Sequence, residues 1–169
     1  MDGMRGRGGR FWAALLVWGS IWPYPALAED PDPVFGRWLV ESGKAVIEIY
    51  PCGEMACGKL VWLANPNTTL GIAKTDGQNE DPALRLRPLC GLELVTGLRQ
   101  KVPGEWSSGE IYSTRDGQTY GLDVTIRGQD QLDVRGYLGL AILGSTQTWR
   151  RDTAPERECA PEAVPPVER

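Results

Sequence analysis

Between Gly36 and Arg150 the chain keeps returning to one pattern, a stretch of five to nine residues in which apolar and polar side chains alternate, closed by a glycine or proline turn. No segment of ten or more residues carries a helical period, so helical layers are excluded and the chain must build its core from short strands. Strands are expected over Gly36–Val40, Ala45–Tyr50, Gly58–Leu63, Leu92–Leu98, Gly109–Ser113, Thr119–Arg127, Gln131–Tyr137 and Ile142–Arg150. The later turns fall at Pro103-Gly104, Asp116-Gly117, Gly128 and Gly139. Leu122, Val124 and Ile126 share one face while Asp123, Thr125 and Arg127 take the other, and Leu132 and Val134 repeat that division against Asp133 and Arg135. Eight such strands predict an all-β domain, an antiparallel meander closed into a barrel, because closure removes the exposed edges of a flat sheet. A sandwich is the alternative. Ala64–Pro88 is polar, holds three prolines and reads as one long loop, with a helical turn near Asp81–Leu86 as its only regular element.

The flanks differ from this pattern. Arg5, Arg7 and Arg10 precede an apolar run from Phe11 to Ile21, and Ala26-Leu27-Ala28 supplies a small-x-small cleavage pattern. Residues 1–28 are therefore expected to be a signal peptide cleaved after Ala28. The apolar run is too short for a membrane anchor, which needs about 20 residues. Removal takes away three arginines and Asp2, moving the formal charge from −4 to −6. The mature protein is expected in the periplasm or outside the cell, without a transmembrane span. Beyond the domain at 33–151, residues 152–169 are rich in proline and glutamate and read as a disordered tail.

Export gives meaning to the four cysteines, Cys52, Cys57, Cys90 and Cys159, since an even count in an oxidising compartment suggests disulfides. Three pairings are formally possible. Cys52 with Cys57 is favoured, because the intervening Gly53-Glu54-Met55-Ala56 resembles a tight strand-to-strand turn, and Cys90 with Cys159 would then tie the tail to the domain.

The chain contains no histidine, which excludes Ser-His-Asp and Cys-His catalysis and His-ligated zinc. Its acidity argues against nucleic acid as a partner. No cofactor or metal is expected. Calcium at Asp76, Asn79 and Asp81 is disfavoured by a spacing unlike that of an EF-hand loop. Carboxylate pairs such as Asp76 with Asp81, or Asp123 with Asp133, leave glycan hydrolysis as the remaining enzymatic alternative.

Several short segments in a fixed order carry a resemblance: Gly36-Arg37-Trp38, Cys57-Gly58-Lys59-Leu60-Val61-Trp62-Leu63, Lys74-Thr75-Asp76 with Asn79, Asp81-Pro82-Ala83-Leu84-Arg85, Arg87-Pro88-Leu89, Gly109-Glu110-Ile111-Tyr112, Gly117-Gln118-Thr119-Tyr120 and Thr146-Gln147-Thr148-Trp149-Arg150. Together they resemble the bacterial domain-of-unknown-function 2147 family over about Pro33 to Arg151. The resemblance implies an exported protein with a small lipocalin-like (calycin) barrel and implies no established reaction. In such barrels a first-strand tryptophan packs across the closed end beneath an arginine from the last strand. Trp38 and Arg150 (or Arg151) are the candidates for that structural pair.

A barrel of eight strands is either filled or holds one small ligand. Trp62 and Tyr112 are the picks for lining a pocket that would take an apolar or amphipathic envelope molecule. Asp76, Arg85 and Arg87 form a second candidate ligand surface, with an internal Asp-Arg network that rivets the long loop as the competing reading. A filled barrel with a structural or interaction role is the alternative to a binder. Tyr137–Leu143 is unusually apolar; it could project as a patch, but an inward fold plugging one end is preferred.

Overall fold

The computed structural model describes residues 32–159; the expected signal peptide and residues 160–169 of the tail lie outside them. Eight strands follow in order: β1 (Gly36–Leu39), β2 (Ala45–Cys52), β3 (Met55–Leu63), β4 (Glu93–Val102), β5 (Glu105–Ser113), β6 (Gln118–Ile126), β7 (Gln131–Tyr137) and β8 (Ser145–Arg151). Each pairs antiparallel with its sequence neighbours, and β8 returns to β1 with Trp38 opposite Arg151, closing the barrel. The expected alternation places Leu122, Val124, Leu132 and Val134 inside, in register across β6 and β7.

Strand ends depart from the sequence expectation where alternation fails. β4 continues past Leu98 through the exposed Arg99, Gln100 and Lys101, because Gln100 still lies opposite Trp106. β5 begins at Glu105, not Gly109; an irregular register between Trp106 and Gly109, with Ser108 at φ 60°, hides its first half from a period-two reading. β8 begins at Ser145, since Ala141–Leu143 form a 3-10 turn. In the long loop Pro82–Leu84 make a single 3-10 turn, with Asp81 Oδ1 accepting from Ala83 N at 2.9 Å.

Because consecutive strands run up and down, the connections segregate. One end carries only the short β2–β3, β4–β5 and β6–β7 turns; the other carries 40–44, 64–92, 114–117 and 138–144. The short-turn end is closed. Trp38 is fully buried there, its Nε1 donating to Val34 O at 2.8 Å, and the Arg151 guanidinium lies 4.1 Å from its ring centroid. Arg151 also donates to Pro33 O, Phe35 O and Gln129 O, which fixes the chain entering β1. The arginine of this pair is thus Arg151 and not Arg150: Trp149 points inward, so the period of two sends Arg150 out to solvent and Arg151 back over the indole. Gly36 makes room, since a Cβ there would lie 2.7 Å from Arg151 Nη1 at a φ of +122°.

Both favoured disulfides form, Cys52–Cys57 and Cys90–Cys159, each with Cα atoms 5.8 Å apart. The segment from Asp152 to Cys159, read from composition as the start of a disordered tail, instead lies along the barrel wall. Asp152 is buried, pairs with Arg37 at 3.4 Å and accepts from Arg157 Nη1 at 2.6 Å. Arg157 covers Trp62 at 5.3 Å. β4 begins opposite Lys59, leaving the last residues of β3 without a β4 partner, and the Cys159 N–H donates to Val61 O at 2.6 Å in its place.

Candidate functional site

At the open end a cavity of about 530 Å³ reaches into the barrel, within the size range of small-molecule sites. Its inner wall is apolar: Ile47 from β2, Leu122 from β6, Val134 from β7 and Trp149 from β8 are all buried core residues. Toward the mouth the lining turns polar with Ser42, Ser113, Tyr120, Ser145 and Gln147, and the only charged side chains are Arg115 and Asp116 on the β5–β6 turn. The space has a sequence cause. Leu122 on β6 and Ser145 on β8 both lie opposite Gly136 of β7, and the missing side chain leaves that row of the wall empty.

The polar rim is preorganised. Asp116 accepts from Tyr120 Oη at 2.8 Å and from Gln118 N at 3.1 Å, and the Tyr120 hydroxyl foremost holds its carboxyl below the usual carboxylate range. The same bond raises Tyr120. Trp149 Nε1 donates to Gln147 Oε1 at 3.3 Å, so the Gln147 amide nitrogen stays available to an acceptor on a ligand.

Tyr112 joins the cavity to the long loop. It lines the cavity, and its hydroxyl donates to Asp76 Oδ1 at 2.8 Å. Asp76 is fully buried and also accepts from Asn79 Nδ2 at 2.8 Å and Arg87 Nη2 at 2.8 Å. Burial pushes its carboxyl up, but the hydrogen bonds from Tyr112, Asn79 and Arg87 outweigh that and hold it below the ordinary value. Burial, followed by the Asp76 hydrogen bond, raises Tyr112. Arg85 donates through Nε to Asn79 O at 2.7 Å. Asp76 and Arg87 are thus paired with each other, while Arg85 joins the same network only through the Asn79 and Glu80 carbonyls, and together these bonds pin the loop.

Trp62 lies elsewhere, in a groove outside the barrel between the long loop and Cys159. Asp123 lies opposite Arg135 and Asp133 accepts from Arg127 Nε at 2.7 Å, both on the outer wall. Asp81 spends Oδ1 on its own turn, accepting from Ala83 N. Among the described residues no three acidic or cysteine side chains gather as a metal site. Sequence reasoning counted Trp149 and Tyr120 among the aromatics able to line a pocket without picking them out, and it missed Gln147 and Gly136. Alternation assigns Trp149 to the interior, but only the cross-strand register shows that Gly136 leaves a void.

A family model described as an uncharacterized protein conserved in bacteria (DUF2147) matches residues 36–151, from the first residue of β1 to the last of β8. Among solved structures, protein HP1028 from the human pathogen Helicobacter pylori, described as belonging to the lipocalin family, is similar at a TM-score of 0.63. Its identity to this chain is 22%, over 70% of this chain and 82% of that one. No curated protein matches the chain. The likeness to HP1028 is one of fold: a closed eight-stranded antiparallel barrel of lipocalin type.

Proposed function

The chain belongs to the DUF2147 family of uncharacterized bacterial proteins, and we propose that it is an exported, non-enzymatic binder that holds one small apolar or amphipathic molecule in its open-end cavity. The observation that carries this reading is the asymmetry of the barrel. One end is shut by Trp38 and Arg151, while the other opens into a space with an apolar floor and a polar rim. A ligand would lay its apolar part against Leu122, Val134 and Trp149 and present a neutral acceptor to Gln147, since no charged group lines the inner wall. Export is supported by the basic, apolar and small-residue order of residues 1–28 and by two disulfides, which persist in an oxidising compartment.

The test uses Gly136→Leu. A Cβ at Gly136 meets no atom within 4 Å, so the larger side chain enters the cavity without displacing the wall. Native mass spectrometry of protein recovered from the periplasm is expected to show a retained small molecule in the parent and a bare mass in the variant. The two should melt at similar temperatures. A bare parent that also fails to bind an apolar fluorescent dye in the cavity would replace the binder with the filled-barrel, structural reading.

A further inference from the structure

Resting on that cavity reading, we propose that the open end docks on an anionic phospholipid surface, so that an apolar ligand passes between bilayer and barrel without crossing water. The β7–β8 connection, 138–144, contains no charged residue, and its large side chains face solvent: Leu138 is 58% exposed, Leu140 67%, Ile142 81% and Leu143 78%. The inward plug expected from the sequence does not form. The loop is held in this posture by Arg135, whose Nε donates to Ala141 O at 2.7 Å and whose Nη2 donates to Ile142 O at 3.0 Å. Gly136 and Ser145, which flank the connection, both line the cavity, so the patch starts at the mouth itself.

A second apolar patch stands on the long loop. The β3–β4 and β7–β8 connections leave the same end of the barrel four strands apart in a ring of eight, and the tip of the former borders the groove outside the barrel beside Trp62 and Cys159. At the tip of the former, the stretch from Pro66 to Ala73 is again uncharged and exposes Leu70 (82%) and Ile72 (62%). This tip is also built: Thr68 N donates to Ile72 O at 2.7 Å, Lys74 N donates to Pro66 O at 2.8 Å, and Asn67 pairs with Ala73. Solvated loops seldom spend their tips on leucine and isoleucine, and two such tips on connections of one barrel end, one of them beginning at the cavity, fit an apolar surface that this end meets.

Charge favours a lipid over an acidic wall of the protein itself. The four open-end connections hold five cations (Lys44, Lys74, Arg85, Arg87, Arg115) and five carboxylates (Glu41, Asp76, Glu80, Asp81, Asp116), so this end is neutral on a chain of net charge −4. Four of those carboxylates, all but Glu80, already accept hydrogen bonds within the chain. Lys44 and Arg115 are exposed beside the mouth and form no ion pair among the described residues, which suits them to headgroup phosphates.

The experiment is sedimentation with vesicles of phosphatidylglycerol and phosphatidylethanolamine, comparing the parent with the triple variant Leu140→Ser, Ile142→Ser and Leu143→Ser. Both chains share every residue outside the loop, so any contribution of the N-terminal apolar run cancels. The parent should bind, and the variant should bind at least tenfold more weakly while keeping its melting temperature and its dye binding in solution. Lys44→Glu with Arg115→Glu should weaken sedimentation on these vesicles and leave that on purely zwitterionic ones unchanged. A parent that stays in the supernatant, or a triple variant that sediments equally, overturns the proposal. So does binding confined to native envelope membranes and abolished by protease treatment of those membranes, which assigns the patch to a protein partner. Gly136→Leu separates the two readings: it removes dye binding if the cavity reading holds and leaves vesicle docking intact.

Discussion

Trp38 shows how much one side chain carries when it is placed across the end of a barrel. It is fully buried, hydrogen-bonded to Val34 and covered by Arg151. Trp38→Ala should cost about 3–5 kcal/mol, the range for truncating a buried aromatic, measured by chemical or thermal unfolding; an unshifted transition would remove the closure role. Asp76 makes a different prediction. Its carboxyl is held below the ordinary value in the folded protein, so it contributes stability that is present above its unfolded pKa and lost as pH falls through the folded one. Unfolding midpoints of the parent should therefore decline below about pH 4. In Asp76→Asn that part of the acid dependence should vanish, with a loss of roughly 2 kcal/mol at neutral pH because Arg87 is left without its partner. Both residues were legible to different depths. The spacing of Gly36-x-Trp38 and the period of β8 together define the closing pair, although choosing Arg151 over Arg150 required fixing the inward phase from Trp149. The charged members of the Asp76 network stand close together in the sequence, but Tyr112, which completes it, is 36 positions away, and the sequence points to it as a pocket-lining aromatic without linking it to the loop.

Among the elements, strands whose faces alternate cleanly were legible nearly to the residue: β7 spans the expected Gln131–Tyr137. The first half of β5 was not, because the irregularity around Ser108 breaks the period that a reader would follow. The segment 152–159 was hidden for another reason. Its composition is that of a solvated tail, and what orders it is a set of long-range partners, Arg37, Trp62, Val61 and Cys90. Gly117 marks a similar long-range contact, since a Cβ there would fall 2.0 Å from Gln78 O, where the long loop rests on the β5–β6 turn. The two disulfides should differ in worth. They close separations of 5 and 69 positions, and loop entropy alone makes removal of Cys90–Cys159 about 2 kcal/mol more costly than removal of Cys52–Cys57. Paired Cys→Ser variants compared by urea unfolding check this; equal losses would mean that the 152–159 segment is held by Asp152 and Arg157 without help from the bridge.

At the scale of the whole molecule, the sequence foretold a closed meander because eight strands with hairpin spacing leave few other arrangements. Whether that barrel is hollow was beyond it, since the void depends on Gly136 facing Leu122 and Ser145 across three strands, a matter of register and not of composition. The outward posture of 138–144 was likewise hidden, as an apolar hairpin reads the same whether it plugs or projects. The Cys90–Cys159 bridge has a last consequence at this scale. It makes β4 to β8 a covalent ring closed across 69 positions, with the apolar β7–β8 connection inside the ring and the long 64–88 loop outside it. Limited proteolysis should therefore leave two signatures. A single nick between Leu138 and Gly144 yields fragments that separate on a denaturing gel only after reduction, whereas a nick within 64–88 yields fragments that part without it. The mouth of the barrel can thus be cut on one side and still keep its chain in one piece.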